Sequence, residues 1–271
     1  MRAVSCRKLI MYHCSVQTIT RSKGQSICAA AAYRAGDKIE DARYGLTHDY
    51  SRKSGVVHSE IIGWTGDRES LWNAAEKSER RKDAVVGREI RLALPDAGMT
   101  DEDRIYMVGQ FASDLSEKFS VAVDLAIHRP DRHGDQRNHH AHILITSRPV
   151  IDDEFSSKKD RRWNGKEGSQ TIREIRKSWA DHWNFLAEEI GYDIGTIDHR
   201  SYKDQGVDKV PTKHLGPARS RLKKRGLHTP EPTPNAPLDQ QIEDEIEEVE
   251  TEILSIGISS TRRPGISLDN L

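Results

Sequence analysis

The sequence lacks several features that would assign it to a common class of protein. It has only 3 cysteines (Cys6, Cys14 and Cys28), an odd number without CxxC spacing. That pattern argues against a disulfide framework and against a zinc site with sulfur ligands, and it favours a reducing, cytoplasmic compartment. No run approaches the roughly 18 apolar residues that a membrane-spanning helix needs, so we expect no membrane insertion. Residues 1–9 lack the apolar segment of a secretory signal.

Two common catalytic motifs are also absent. The sequence contains no GxxxxGK[ST] motif, so ATP hydrolysis by a phosphate-binding loop of that type is not expected. It contains no HEXXH motif, which argues against a zincin protease. No internal repeat is found either. Any catalytic chemistry must therefore come from a different set of residues.

The 271 residues have little net charge, with 42 Lys and Arg against 43 Asp and Glu, for a formal charge of -1. This near balance hides a separation along the chain. Residues 200–225 are strongly basic, whereas the segment from residue 231 to the end is strongly acidic. The Pro-rich stretch TPEPTPNAP at 229–237 separates them and is typical of an extended linker. A net charge near zero therefore does not exclude a nucleic-acid partner.

Hydrophobic patterning predicts a mixture of strands and helices. Strands are predicted over 9–19, 56–64, 88–94, 121–128 and 140–150, and helices over 27–35, 68–82, 101–119 and 171–190. Ser26 and Thr100 are predicted helix N-caps, and Gly36 a helix end. Trp179 and Trp183, four residues apart on a helix, are expected in the core. The segment 41–54 is polar and turn-rich. We predict an α+β two-layer domain with helices packed on a central antiparallel sheet.

Three histidines are placed to bind a metal ion. His140 and His142 alternate on a strand, so both side chains point to one face. If the two strands around the polar loop form an antiparallel hairpin, His128 lies across from that pair. Three neutral imidazoles leave coordination positions open for substrate oxygens, as a catalytic metal requires. The alternative is that these histidines are surface residues at a strand end.

Tyr33, at the end of the Ala-rich helix, is a candidate nucleophile. Small side chains on that helix allow close approach to a neighbouring surface, and a phenol can attack phosphorus to form a covalent intermediate. The alternative is an ordinary packed aromatic residue. Tyr12, Tyr44 and Tyr50 are competitors for the same role, and composition alone does not choose among the four tyrosines.

An ordered set of motifs resembles one family. The motifs, in chain order, are YHCSVQTITRSKGQSICAAAAYRAGD, GLTHDYSRKSGVVHSEI, REIRLALP, LAIH, NHHAHILIT, WADHWN, IDHRS and HLGP. They are similar to the relaxase domain of the MobA/MobL (MobQ-type) plasmid mobilization proteins, within the HUH endonuclease superfamily. The resemblance runs from about residue 10 to 217. We therefore expect an N-terminal extension over 1–9, a relaxase domain over 10–228 with its basic segment at 200–228, and a linker with an acidic, helical or disordered tail over 229–271.

The resemblance implies a function and a site. It implies a metal-dependent single-strand DNA endonuclease that nicks an origin of transfer by transesterification, forms a 5′-phosphotyrosyl intermediate and later reseals the strand. The nucleophile falls on Tyr33 and the metal ligands on His128, His140 and His142. Glu89 is expected either to orient a ligand imidazole or to accept the tyrosine proton. The expected cofactor is one divalent ion, Mg²⁺ or Mn²⁺.

Single-stranded DNA at an origin of transfer is the expected substrate, bound by cations and flat rings. The candidate DNA-binding residues flank the Tyr33 helix and follow the histidine hairpin: Arg21, Lys23, Lys158, Lys159, Arg161, Arg162 and Trp163. The alternative for such basic runs is a solvated face. The resemblance also implies accessory mobilization proteins and a type IV secretion coupling protein as partners.

Three other functions compete with this interpretation. A rolling-circle replication initiator or a transposase of the same superfamily would use the same chemistry at another DNA site. A DNA-binding accessory protein would keep the fold without catalysis. A metallohydrolase without a nucleic-acid partner would form no covalent DNA adduct and would show no salt-dependent binding to single strands.

Overall fold

The computed structural model describes residues 12–95, 98–130, 136–192 and 195–208. The chain divides into two units, residues 1–200 and 201–271. The strands are β1 (Cys14–Thr20), β2 (Lys38–Asp41), β3 (Leu46–Asp49), β4 (Val56–Ile62), β5 (Val85–Leu94), β6 (Val123–His128), β7 (His139–Thr146), β8 (Val150–Ile151) and β9 (Glu154–Phe155). The α-helices are α1 (Ile27–Ala35), α2 (Arg68–Ser78), α3 (Asp101–Phe119) and α4 (Gly165–Ile190). In the second unit, residues 202–206 form turns.

Five strands form a central sheet in the order β1-β5-β7-β6-β4. Every neighbouring pair in it is antiparallel. Strands β6 and β7 form the predicted hairpin, with His128 directly opposite His140 in the register. Two short hairpins, β2 with β3 and β8 with β9, lie outside this sheet. The predicted α+β class with a central antiparallel sheet is therefore confirmed.

Alternation along the strands divides the core between the two faces of the sheet. Ile90, Leu125 and Ile143 share one face and pack in a cluster with residues of α3 and α4. Leu144, on the opposite face, packs in a second cluster with residues of α1 and α2. Helices thus cover both faces of the sheet. The predicted two-layer domain, with helices on one face, therefore gains a second layer of helices on the other. Trp179 and Trp183 are fully buried on α4, as expected for core residues.

Local signals account for the helix boundaries. The Ser26 side chain accepts a hydrogen bond from the Ala29 backbone N at 3.1 Å and caps α1. Gly36 ends α1 with φ 64°, in the left-handed region that favours glycine. Thr100 caps α3 in the same manner as Ser26, accepting from the Asp103 backbone N at 3.1 Å. These three boundaries agree with the sequence predictions.

Some predicted boundaries differ from the structure. The polar segment 41–54 contains β3, which pairs with β2. Strands of four residues with little apolar content give a weak alternation signal. Helix α4 begins at Gly165, earlier than the predicted 171, because its first turn is polar and carries no apolar stripe. The N-terminal extension, the linker and the acidic tail lie outside the described residues, so the proposed domain limits stay predictions. Within the described ranges, no helix has the length and apolar content to span a membrane.

Candidate metal centre and nucleophile

The hairpin of β6 and β7 brings three histidines together on the sheet face that α1 and α2 cover. His128, His140 and His142 each offer a ligand nitrogen, and these atoms all lie within 4.8 Å of one another. Their ring centroids are 4.8 to 5.1 Å apart. His128 and His142 are buried, with exposures of 6% and 7%. The triad inferred from strand alternation is therefore a compact cluster in the fold.

Each imidazole also has one ring nitrogen within hydrogen-bond distance of a protein oxygen. His128 Nε2 lies 2.6 Å from the Arg34 backbone oxygen, and His140 Nδ1 lies 2.9 Å from the Asn138 backbone oxygen. His142 Nδ1 lies 2.6 Å from Glu89 Oε1. Metal-binding histidines typically donate their second N–H to a carboxylate or carbonyl, which fixes the tautomer. One nitrogen per ring is then left to bind a cation, so the donor set fits a divalent metal.

Burial keeps the triad neutral. It lowers the pKa of His128 to about 2, with His142 and Lys53 adding to the effect. It lowers the pKa of His142 to about 4, against the opposing effect of Glu89. The pKa of His140 is also lowered, mainly by burial. Neutral imidazole is the form that binds a metal ion, so the site is electrostatically prepared for one near neutral pH.

Glu89 is enclosed by two partners. Arg34 forms a bidentate pair with it, Nε to Oε1 at 2.7 Å and Nη2 to Oε2 at 2.8 Å, and His142 contacts Oε1. The residue is only 3% exposed. Burial opposes its ionisation, but Arg34 and His142 outweigh burial and hold its pKa well below the ordinary value. Both carboxylate oxygens are therefore occupied, and the group is a weak proton acceptor.

Tyr33 lies at the end of α1, next to Arg34, and is half-buried. Its ring contacts Tyr50 edge to face, with centroids 5.2 Å apart. Lys53 Nζ lies 3.5 Å from the Tyr33 ring centroid and donates a hydrogen bond to the Tyr33 backbone oxygen at 2.7 Å. Burial lowers the pKa of Lys53 to about 7, with Arg34 adding to the effect. The aromatic ring and the end of its helix are thus held from two sides.

Small residues allow α1 to lie close to the sheet. Ala31 and Ala32 are fully buried. At Gly87 on β5, a Cβ would lie 2.9 Å from Ile27 Cδ1 and 3.1 Å from the Ile145 backbone oxygen. A methyl at this position would press on the end of the buried Ile27 side chain and lie tight against the Ile145 backbone oxygen, so glycine lets α1 pack close to the sheet. Close packing places the Tyr33–Arg34 pair beside the histidines.

The competing tyrosines occupy different surroundings. Tyr12 precedes β1 and donates a hydrogen bond from its hydroxyl to the Arg176 backbone oxygen at 2.7 Å. Burial raises its pKa. Tyr44 is exposed, in the turn between β2 and β3. Tyr50 packs against Tyr33, and burial raises its pKa. Of these four tyrosines, Tyr33 is the one that directly precedes Arg34 in the chain, and Arg34 contacts both His128 and Glu89.

Two of the candidate DNA-binding residues, Arg21 and Lys159, bond to acidic and backbone groups of the protein itself. Arg21 is 8% exposed, and its guanidinium bonds the Glu76 side chain and the backbone oxygens of Glu76, Glu79 and Arg81. Lys159 Nζ donates to the Val85 backbone oxygen at 2.6 Å and pairs with Glu79 at 3.1 Å. Both cations are committed to internal partners. This placement does not support the expectation that they contact DNA phosphates. The sequence could not show this, because a basic run does not reveal which acidic groups lie beside it in the fold.

The other candidates divide between exposed cations and one packed ring. Lys23, Lys158, Arg161 and Arg162 are exposed. Trp163 is half-buried between Phe119, with centroids 4.9 Å apart, and the Arg88 guanidinium, 4.7 Å from its ring. A ring with both contacts inside the protein is poorly placed to stack on a base. The exposed cations are the part of this set that remains suited to DNA.

Sequence reasoning missed two residues that contact the site, Arg34 and Lys53. Arg34 was within the Ala-rich motif but has no spacing that reveals its pairing with Glu89, 55 positions away. Lys53 lies in a polar, turn-rich segment where lysines are ordinarily solvated. Their only sequence signal was membership of the motifs around Tyr33, the candidate nucleophile. Recognising their roles requires the tertiary structure.

Comparisons with known proteins give the family. Residues 25–225 match the family model of the MobA/MobL family. Mobilization protein MobL of Acidithiobacillus ferridurans is 38% identical over 247 residues, covering 80% of this chain and 65% of that protein. Conjugal transfer protein TraA of Agrobacterium fabrum (strain C58 / ATCC 33970) is 31% identical over 239 residues, covering 75% of this chain and 21% of that protein. The chain thus spans less than two thirds of the length of both relatives.

A solved structure on the molecular basis of vancomycin resistance transfer in Staphylococcus aureus is also similar. It aligns with a TM-score of 0.61 at 32% identity and covers 71% of this chain and 100% of that chain. The family match extends over well more than half of the sequence, and it includes α1 with Tyr33 and the hairpin with the three histidines. On this evidence the chain belongs to the MobA/MobL family.

Proposed function

We propose that this chain is a mobilization relaxase that nicks one strand of DNA at an origin of transfer. The observation that carries the proposal is the junction of α1 with the histidine triad. Tyr33 is followed by Arg34, whose backbone oxygen contacts His128 and whose side chain reaches His142 through Glu89. A phenol and a metal-binding cluster held on one rigid unit are what phosphoryl transfer to tyrosine requires. Relatives named as mobilization and conjugal transfer proteins support this reading.

The reaction is a transesterification. The Tyr33 oxygen forms a bond to phosphorus, the bond from phosphorus to the 3′ oxygen breaks, and the phenol proton is lost while the leaving 3′ oxygen gains one. The product is a 5′-phosphotyrosyl strand with a free 3′-hydroxyl. One phosphodiester replaces another, so the reverse reaction reseals the strand without ATP. The position of Tyr33 directly before Arg34, whose backbone oxygen contacts His128, supports this assignment.

His128, His140 and His142 would hold the divalent ion, with Mg²⁺ or Mn²⁺ as the proposed identity. When bound, such an ion supplies Lewis-acid stabilisation of charge on the scissile phosphate. Glu89 orients His142 by accepting its Nδ1 hydrogen bond, and we assign it this role over that of base because Arg34 and His142 occupy both of its oxygens. Tyr50 and Lys53 hold the Tyr33 ring.

The substrate is single-stranded DNA, and exposed cations contact its phosphates. Lys23, Lys158, Arg161 and Arg162 are the described residues that we assign to this contact. The basic segment at 200–228, largely outside the described residues, would extend it. Accessory mobilization proteins and a secretion coupling protein are the proposed partners, and the cytoplasm is the proposed location.

A denaturing-gel assay tests the proposal. The protein is incubated with a single-stranded oligonucleotide that spans the nick site of its own replicon, with Mn²⁺ or with EDTA. We expect a covalent adduct on the 5′ end of the cleaved product, lost in Tyr33→Phe and with EDTA. Tyr44→Phe is the matched control and should form the adduct at the wild-type level. Tyr44 is exposed and lies in the turn between β2 and β3, outside the central sheet that carries the histidines.

Two outcomes would contradict the proposal. An adduct that persists in Tyr33→Phe assigns the nucleophile to another residue, and Tyr50→Phe would then be examined first. Absence of adduct with wild type on every transfer-origin sequence of the replicon removes the relaxase function. Cleavage only at a replication origin or a transposon end would instead identify an initiator or a transposase.

A further inference from the structure

Arg34 contacts the site through both its backbone and its side chain, although it is not one of the three histidines. Its backbone oxygen is 2.6 Å from His128 Nε2. Its guanidinium grips both oxygens of Glu89, at 2.7 and 2.8 Å. Glu89 in turn contacts His142 Nδ1 at 2.6 Å. Arg34 therefore supplies the hydrogen-bond partner of His128 directly and holds Glu89, the partner of His142.

The covalent position of Arg34 makes these contacts consequential. It directly follows Tyr33 in the last turn of α1. Its guanidinium carbon is 5.8 Å from the Tyr33 ring centroid. A shift of the end of α1 would therefore move the phenol and both histidine contacts together. Because the backbone and the side chain act on different histidines, the relative positions of phenol and triad are fixed at two points.

We propose that Arg34 is a positioning residue that locks the Tyr33 helix to the histidine cluster, through its backbone oxygen on His128 and its guanidinium on Glu89. The side-chain arm keeps the Glu89 carboxylate in the plane that accepts from His142, leaving the second nitrogen of His142 directed at the cluster. The consequence for cleavage rests on the proposed relaxase function. The consequence for metal binding does not.

The geometry requires an arginine. A guanidinium donates two parallel hydrogen bonds to both oxygens of a carboxylate, whereas a lysine ammonium acts as a point charge and leaves the carboxylate free to rotate. Removing the guanidinium charge leaves Glu89 buried without its cationic partner, with His142 still in contact. The two substitutions, Arg34→Gln and Arg34→Lys, therefore separate loss of charge from loss of bidentate geometry.

Calorimetric titration of the purified protein with Mn²⁺, without DNA, tests the proposal. We expect Arg34→Gln to weaken Mn²⁺ binding about 10-fold, the lower end of the cost of losing a partner of a ligand histidine outright, because Glu89 remains but is no longer held by the guanidinium. Arg34→Lys should lie between it and wild type. Arg52→Gln, an exposed arginine in the turn before Lys53, is the matched control and should bind as wild type does. Circular dichroism verifies folding of each variant.

A double-mutant cycle with Glu89→Gln distinguishes positioning from a general structural role. If Arg34 acts through Glu89, Arg34→Gln should cost less than about threefold in Mn²⁺ affinity once Glu89 is already Gln. Three outcomes would overturn the proposal. The losses of affinity from Arg34→Gln and Glu89→Gln could add in full, both Arg34 variants could bind Mn²⁺ as wild type does, or wild type could bind no Mn²⁺. Should Arg34→Gln fail to fold, the same criteria apply to Arg34→Lys.

The adduct assay at saturating Mn²⁺ then examines the link to Tyr33. We expect Arg34→Gln to form the adduct at least about tenfold more slowly than wild type even when metal is saturating, because the phenol is less well aligned. An unchanged rate would remove the claim on Tyr33. If wild type forms no adduct while the Mn²⁺ effects hold, the proposed function fails and the role of Arg34 at the histidine cluster stands.

Discussion

The two faces of the central sheet differ in chemistry. The face toward α3 and α4 is built mainly from aliphatic residues such as Ile90, Leu125 and Ile143, packed with the buried Trp179 and Trp183, although the buried Arg88 also lies on it, over Trp163. The face toward α1 and α2 carries buried charges beside its apolar contacts. The same five strands therefore present a largely apolar surface on one side and a partly polar one on the other.

The polar side is satisfied by hydrogen bonds. Glu89 is paired with Arg34, and Asp124 accepts from Arg68 Nε at 2.9 to 3.0 Å and from Trp72 Nε1 at 2.8 Å. Burial raises the pKa of Asp124, and Arg68 opposes that effect. Buried ion pairs of this kind add little net stability, but losing one partner is costly.

The contrast teaches that the two faces have separable roles. Burial of apolar surface against α3 and α4 is non-directional and supplies stability. Directional hydrogen bonds on the other face set the positions of the histidines and of Tyr33. Substitutions on the first face should therefore lower the free energy of unfolding without changing the affinity for metal. Substitutions on the second should change binding or cleavage by more than stability.

The largest expected effect is on the apolar face, at Trp183. Replacing this fully buried ring, which packs 5.6 Å from Trp179, with Ala should lower the free energy of unfolding by about 3–5 kcal/mol. Urea unfolding followed by circular dichroism measures it. Phe185→Ala on the same helix is the control and should cost about 0.5 kcal/mol or less, because Phe185 is exposed. If Mn²⁺ affinity of folded Trp183→Ala also fell tenfold, the faces would not be separable.

Gly87→Ala should have an intermediate effect and act on the polar face. The added methyl would press on Ile27 Cδ1 and lie tight against the Ile145 backbone oxygen. Because Ile27 is fully buried on α1, we expect its displacement to move the helix, at a cost of about 1–3 kcal/mol. Adduct formation should fall further than the folded fraction does, because Tyr33 moves with α1. Gly109→Ala on α3 is the control: its Cβ meets the flexible end of Glu60, and helix propensity favours alanine. A purely stability-related loss in Gly87→Ala would contradict the positional role of α1.

The sequence predicts the parts of this arrangement that depend on local periodicity. Alternation placed His140 and His142 on one face, and the antiparallel hairpin placed His128 opposite them. Helix caps at Ser26 and Thr100 were predicted from residue type. Each of these features depends on one segment of the chain or on two neighbouring segments, so the sequence pattern is enough to predict it.

Pairings between distant segments were beyond the sequence pattern. Arg21 and Lys159 sit in basic runs, yet they pair with Glu76 and Glu79, which are remote in sequence. Arg34 finds Glu89 in the same way. A charge pattern cannot distinguish a solvated cation from one that is buried against a distant carboxylate. Contacts of this kind decide which residues serve the site.

Lys53 gives the smallest effect and tests whether the polar face buries its cation. Burial lowers its pKa to about 7, whereas an unfolded lysine has a pKa of about 10.4. Between those values the unfolded chain binds the extra proton, so stability attributable to Lys53 rises with pH, by at most about 1.4 kcal/mol per pH unit. Urea unfolding at about pH 7.5 and about pH 8.5 should show wild type gaining on Lys53→Met across that single pH unit. Exposed Lys38→Met is the control and should track wild type. A difference between wild type and Lys53→Met that is constant with pH would mean that the Lys53 ammonium remains solvated, and the contrast between the faces would then rest on Glu89 and Asp124.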